Sequence, residues 1–142
     1  MPPLTAFADV WLGAGGLALG SFAGVLADRL PQGRSVVLGR SECAGCGRGL
    51  GVLDLVPVLG YLVRRGRCFS CGIAIPRRYP LIELGCGACM VVSALALGPW
   101  PGGLVGVALV AGVATALVAL GRAHKKRGRL ATAPPDSVEN RD

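Results

Sequence analysis

Cys43-Ala44-Gly45-Cys46 and Cys68-Phe69-Ser70-Cys71, with twenty-one residues between them, form the stretch around which the chain is arranged. Each Cys-x-x-Cys pair is a knuckle that can aim two sulfurs at one point. Two knuckles about twenty residues apart supply four thiolates for the tetrahedral site that a structural zinc ion takes. Gly45, Gly47 and Gly72 fall inside or just after the knuckles, where a tight backbone turn is easiest without a Cβ. Cys43, Cys46, Cys68 and Cys71 are therefore expected to be the metal ligands. Spacing alone leaves open a pair of disulfides, four free thiols, or iron in place of zinc, since sulfur ligands do not choose between those two metals.

Outward from the knuckles the chain turns polar and basic. Between Asp28 and Pro80 nine arginines stand against Asp28, Glu42 and Asp54. A dication held by four thiolates carries a net charge of −2, which neighbouring arginines can offset, and the remaining arginines suit anionic lipid headgroups. Asp54-Leu-Val-Pro57-Val-Leu-Gly-Tyr61-Leu62 reads as one short helix, capped by Asp54 and with Pro57 still in the first turn. An insert this small lacks a self-sufficient core, so metal binding should supply much of its folding free energy.

On either side lie blocks too apolar for a soluble domain. The 142 residues include 16% charged residues, and their mean hydropathy is +0.57. Val10–Ala27 has no charge and reads as a first membrane helix. It is not preceded by the basic start of a secretory signal, and Asp28-Arg29-Leu30-Pro31 follows it where a cleavage site would be. It is read as a retained anchor. Leu84–Gly121 runs thirty-eight residues without a charge. As one helix it would be about 57 Å long, nearly twice the hydrocarbon thickness. Gly98-Pro99-Trp100-Pro101-Gly102-Gly103 is expected to break it into a hairpin of Leu81–Leu97 and Leu104–Leu120, with Trp100 at the membrane–water interface.

The expected fold is an α-helical membrane protein with about three transmembrane helices and a small four-cysteine insert between the first and second. Its parts are a first helix over residues 1–28, the insert over 29–80, a helical hairpin over 81–121, and a basic, then disordered, tail over 122–142. Gly16, Gly20 and Gly24 recur every fourth residue on the first helix, and Ala108, Gly112 and Ala116 do so on the third. Small residues at that spacing let helix backbones approach closely in lipid. Cys86 and Cys89 share one face of the second helix and read as small apolar packing residues. Glu83 enters the hydrocarbon region and needs a partner, for which Arg77 and Arg78 are nearest in sequence. His124 sits among cations without ligand-type neighbours.

All fifteen Lys and Arg residues lie in the insert and the tail. The positive-inside rule then places both in the cytoplasm, with the N-terminus and the Trp100 turn outside. The same placement makes lipid, rather than nucleic acid, the partner of the net positive charge. A reducing cytosol favours thiols over disulfides.

Dense ordered motifs carry a family resemblance: Gly20-Ser21-Phe22; Arg29-Leu30-Pro31-x-Gly33-x-Ser35; Arg40-Ser41-x-Cys43-x-x-Cys46; Asp54-Leu55-Val56-Pro57-Val58-Leu59; Arg64-Arg65-Gly66-Arg67-Cys68-x-x-Cys71; and Ile75-x-x-Arg78-Tyr79-Pro80-x-x-Glu83. Over Gly20–Glu83 the chain resembles the N-terminal part of the bacterial prepilin peptidases, the type IV leader peptidase family. It departs at Gly24, where the family usually has Asn, and at Gly39, where it usually has Pro. The resemblance implies an inner-membrane protein of prepilin or pseudopilin processing. Family members cut the leader with two aspartates on later membrane helices, one in a Gly-x-Gly-Asp setting, and then methylate the new amine from S-adenosylmethionine.

Neither aspartate is found in these residues. After Asp54 the aspartates are Asp136 and Asp142, and no Gly-x-Gly-Asp occurs. Aspartyl proteolysis needs two carboxylates close enough to share a proton, so no residue is assigned a catalytic role. Three readings follow. The chain is half of a split peptidase completed by a subunit carrying the aspartates; or an N-methyltransferase using S-adenosylmethionine; or a remnant that holds zinc alone. No glycine-rich cofactor loop supports the second.

Overall fold

The computed structural model describes residues 3–131. The polypeptide forms α1 (Pro3–Arg29), a 3-10 turn (Leu30–Gln32), α2 (Val52–Leu55), α3 (Leu59–Val63), α4 (Arg78–Leu97) and α5 (Pro99–Ala131). Three helices, spanning Ala6–Gln32, Arg78–Leu97 and Pro99–Arg127, are long and apolar enough to cross a membrane. They pack on one another as a bundle, with the four-cysteine insert between α1 and α4. The α-helical membrane fold expected from the sequence is the one observed. The Pro-, Ser- and acid-containing end expected to be disordered lies outside the described residues.

Glycine sets the approach of α1 to α4. A Cβ on Gly16 would lie 2.8 Å from the Cys86 carbonyl oxygen and 2.9 Å from the Gly87 Cα, and one on Gly20 would lie 2.8 Å from the Glu83 Cα. Gly24 faces the Tyr79 ring one turn further on. The order of these pairs, 16 with 87 and 24 with 79, makes the helices antiparallel. The partner of the first helix's glycine face is therefore inside the same chain. The expected stripe of the third helix is not a packing face: Ala108, Gly112 and Ala116 are exposed. α5 packs instead through Gly102 on Ser93 and Ala94 and through Gly106 on Met90. Cys86, Met90 and Val110 form the small core where the helices meet, in keeping with a packing role for Cys86. Outward, Trp11, Phe22, Leu84, Leu95, Leu104 and Leu120 are exposed, as a lipid-facing surface requires. Thr115 returns its hydroxyl to the Ala111 carbonyl at 2.8 Å, so that its own polar hydrogen is not left to hydrocarbon.

Three boundaries differ from the sequence reading. α1 starts at Pro3, not Val10, because the mostly apolar Leu4–Ala8 extends the run and Asp9 is the one charge in between. The Gly98–Gly103 stretch is not a loop. The chain reverses at Gly98 (φ 87), and Pro99 and Pro101 occupy the first turn of α5, where missing N–H groups cost nothing. α5 also runs past Gly121 to Ala131. There Lys125 donates to the Pro31 carbonyl at 2.8 Å, which puts the basic start of the tail at the same end of the bundle as the insert.

Candidate metal centre

The insert is held at its entrance by Arg29, the last residue of α1. Its guanidinium donates to the Ser35 carbonyl at 3.0 Å, the Gly39 carbonyl at 3.4 Å and the Arg40 carbonyl at 3.1 Å. One side chain thus gathers the loop that leads into the first knuckle. Gly39 takes φ 119, which proline cannot adopt.

The two knuckles are the same structure built twice, twenty-five residues apart. Gly47 donates to the Cys43 carbonyl at 2.9 Å, and Gly72 to the Cys68 carbonyl at 3.0 Å. Cys43 N–H reaches the Arg48 carbonyl and Cys68 N–H the Ile73 carbonyl, both at 2.9 Å. Each is closed by one antiparallel bridge, Glu42 with Gly49 and Arg67 with Ala74. Gly47 (φ 68) and Gly72 (φ 69) make the turns in a left-handed conformation, the role the sequence suggested for them. Gly45 does something else. Its missing Cβ leaves room for Ile73, which would stand 3.0 Å away, so that the first knuckle closes over the second.

This brings all four predicted sulfurs together. The Sγ atoms of Cys43, Cys46, Cys68 and Cys71 lie within 4.8 Å of one another. Cys43 and Cys71 are 3.7 Å apart, and Cys46 and Cys68 are 4.0 Å apart. Four sulfurs each about 2.3 Å from one zinc ion would stand about 3.8 Å apart along a tetrahedron's edges. The cluster therefore fits a tetrahedral metal, and all six cysteines of the chain are free thiols. His124 instead borders a cleft with Asp28, Arg78 and Tyr79, and Cys86 lies in the bundle core.

Backbone N–H groups favour anionic sulfur at two of the four cysteines. The Cys71 and Ser70 N–H groups hold the Cys68 thiol down at about 6. Those of Cys46 and Gly45 lower Cys43, and Gly45 N–H lies 3.4 Å from the Cys43 sulfur. At Cys71 the Ile73 N–H pulls downward, but burial and the neighbouring sulfurs outweigh it and push the thiol up to about 11. Neighbouring thiolates repel one another, and a bound dication removes that repulsion.

Asp54 and two arginines join the cluster to α2. Asp54 accepts from Arg64 at 2.6 Å, from Arg48 at 2.8 Å and from the Gly51 N–H at 3.1 Å. Both guanidiniums also stand over the Phe69 ring inside the second knuckle, Arg64 at 4.7 Å and Arg48 at 5.9 Å from its centroid. The Asp54 carboxylate keeps Arg48 protonated, with a lesser contribution from the Cys68 sulfur. The Arg64, Gly51 and Arg48 hydrogen bonds in turn hold Asp54 at about 2. A carboxyl depressed in the folded state stabilises the insert above its ordinary pKa of about 4 and ceases to do so as pH falls through the depressed value. Replacing Asp54 by Asn is expected to destabilise the insert by about 2 kcal/mol at neutral pH. The measurement is the rate at which a chelator strips the metal: several-fold faster in Asp54→Asn, and unchanged if the pairing contributes nothing.

The single helix expected from Asp54 to Leu62 is two helices. α2 begins at Val52, two residues earlier, which carries Pro57 beyond the first turn to where its ring breaks a helix. The break is a γ-turn. Val58 has φ 62, Leu59 N–H reaches the Pro57 carbonyl at 2.6 Å, and this positive-φ γ-turn is rare and strained for a β-branched residue. Glu83 holds it. Its carboxylate, 8% exposed, accepts from the Val58 N–H at 2.7 Å. That corrects the expected pairing with Arg77 or Arg78. Arg78 turns to Asp28 at 2.8 Å, and the Tyr79 hydroxyl donates to the same carboxylate, tying the end of α1 to the start of α4. Sequence spacing gave no sign of these contacts.

The sequence is similar to those of known proteins. The profile of the Bacterial Peptidase A24 N-terminal domain matches residues 15–97. A prepilin leader peptidase/N-methyltransferase of Myxococcus xanthus is 45% identical over 69 residues, which are 49% of this chain and 21% of the relative. That of Burkholderia pseudomallei (strain 1026b) is 42% identical over 113 residues, covering 78% of this chain and 33% of the relative. That of Bacillus subtilis is 40% identical over 79 residues, covering 56% and 32%. The chain thus spans a third or less of the length of these relatives, and no solved structure matches it. The matched residues take in most of α1, the whole four-cysteine insert and all of α4, and on that ground the chain belongs to the bacterial peptidase A24 N-terminal domain family.

Proposed function

We propose that these 142 residues are the zinc-bearing half of a prepilin- or pseudopilin-processing enzyme and do not cut leaders by themselves. The two carboxylates of the cutting step are supplied by residues outside them, which we place on a separate membrane subunit. The observation that carries this reading is the pairing of an intact four-sulfur cluster with three carboxylates that are already engaged. Glu83 holds Val58, Asp28 holds Arg78 and Tyr79, and Asp54 holds two arginines. No two of them form a free dyad among the described residues. Zinc is the metal we assign, with a structural role, because four closed thiolate ligands leave no position for water or substrate.

The setting we assign is the bacterial inner membrane, with the insert and tail cytoplasmic and the N-terminus outside. Charge asymmetry supports this orientation, as does the contact of Lys125 with Pro31, which gathers the basic segments at one end.

The test is reconstitution. The purified chain in vesicles is expected to leave a prepilin uncut, to co-purify with a membrane subunit bearing the two aspartates, and to allow cleavage only in its presence. Cleavage by the chain alone would overturn the proposal. Transfer of labelled methyl from S-adenosylmethionine to a precleaved pilin by the chain alone would replace it with the methyltransferase reading.

A further inference from the structure

We propose that α2 and α3 form a wedge seated in the headgroup–acyl boundary of an anionic phospholipid bilayer, and that Glu83 sets its depth. The first observation is position. Glu83 lies five residues into α4 beyond Arg78, about 8 Å along the axis, and its Cα packs on Gly20, eight residues before Asp28 on α1, about 12 Å along that helix. Glu83 is therefore well inside the level of the Asp28–Arg78 pair. Its side chain leans back toward the start of α4 and meets the Val58 N–H at 2.7 Å. That bond fixes the turn between α2 and α3 at the depth where α4 shows Leu81 and Leu84, 66% and 50% exposed, to its surroundings.

The second observation is what the two short helices present. Val52, Leu53, Leu59, Leu62 and Val63 are all exposed, so they do not cover the sulfur cluster. Asp54, the one charged residue from Gly51 to Val63, turns inward to Arg48 and Arg64. The resulting apolar face is joined to α4, and so to its exposed leucines, through the Glu83–Val58 bond. Arg65, Arg67 and Arg77, all exposed, flank it and match anionic headgroups. An apolar face flanked by arginine and tethered inside the ends of the membrane helices suits the interface, where such faces sink about 5–10 Å.

The experiment uses the full chain with Trp11 and Trp100 changed to Phe and Leu62→Trp as the sole reporter, in phosphatidylcholine–phosphatidylglycerol vesicles. Lipid brominated on its acyl chains is expected to quench about half of the emission, and aqueous iodide little of it. Quenching by iodide but not by brominated lipid would place α3 in water and overturn the proposal. Quenching by neither would show a second copy or another protein covering the face, which overturns it equally. Adding Glu83→Ala should lower lipid quenching about two-fold with metal content unchanged, as a membrane-surface helix freed from its tether would, whereas Glu83→Gln, which keeps an acceptor, should not. Unaltered quenching in Glu83→Ala would refute the depth-setting role.

Discussion

A Cys68→Ser chain purified from membranes is expected to carry about a tenth or less of the wild-type metal and to lose the fold of its insert while its three long helices stay inserted. Structural zinc contributes about 10–16 kcal/mol to small domains of this kind, more than any other single interaction available to residues 33–77. Those residues contain only nine in helix, four in α2 and five in α3, and the sulfur cluster is where their two hairpins meet. Cys68 is the most buried of the four, at 8% exposed, and Arg48 lies close enough for its sulfur to help hold the guanidinium charged. The measurement is limited trypsin digestion beside elemental analysis. Arg40, Arg48, Arg64, Arg65 and Arg67 should become cleavable together when the metal is lost. A variant that keeps its metal, or loses it without becoming cleavable, would show that the knuckles do not organise the insert.

The second large effect lies in the bundle. Gly20→Leu is expected to destabilise the α1–α4 contact by about 3 kcal/mol, because the obstacle is backbone. Its Cβ alone would stand 2.8 Å from the Glu83 Cα and 3.0 Å from the Ile82 carbonyl oxygen. Those atoms cannot yield without separating the helices, and in lipid the contact rests on close packing, with no hydrophobic gain to replace it. The separation should also pull Glu83 from Val58, and the measurement is thermal unfolding in detergent, whose midpoint should fall. Gly112→Leu is the control, since nothing lies within 4 Å of a Cβ there. Equal loss in both variants would mean that the glycine face of α1 is not the packing surface.

Features fixed by local spacing were legible before any coordinates. The four-cysteine cluster needs only two Cys-x-x-Cys knuckles and a loop long enough to bring them together. The membrane helices need only uninterrupted apolar length, and the Gly16–Gly20–Gly24 face needs only the helical repeat. Contacts between distant residues were not legible. Asp28 meets Tyr79 across fifty-one positions and Glu83 meets Val58 across twenty-five, and no spacing rule pairs them. Boundaries failed where proline was read without its register. Pro57 falls beyond a first turn that starts at Val52, whereas Pro99 and Pro101 fall inside one, so the first breaks a helix and the others begin one. The doubled knuckle was present in the sequence as Cys-x-x-Cys-Gly twice at a spacing of twenty-five.

X-ray absorption at the zinc edge, on the full chain purified from membranes without added metal, asks the deciding question. One zinc per chain with four sulfur neighbours at about 2.3 Å is the predicted result. A chain without stoichiometric metal, or a zinc ion whose neighbours include nitrogen or oxygen, would contradict it.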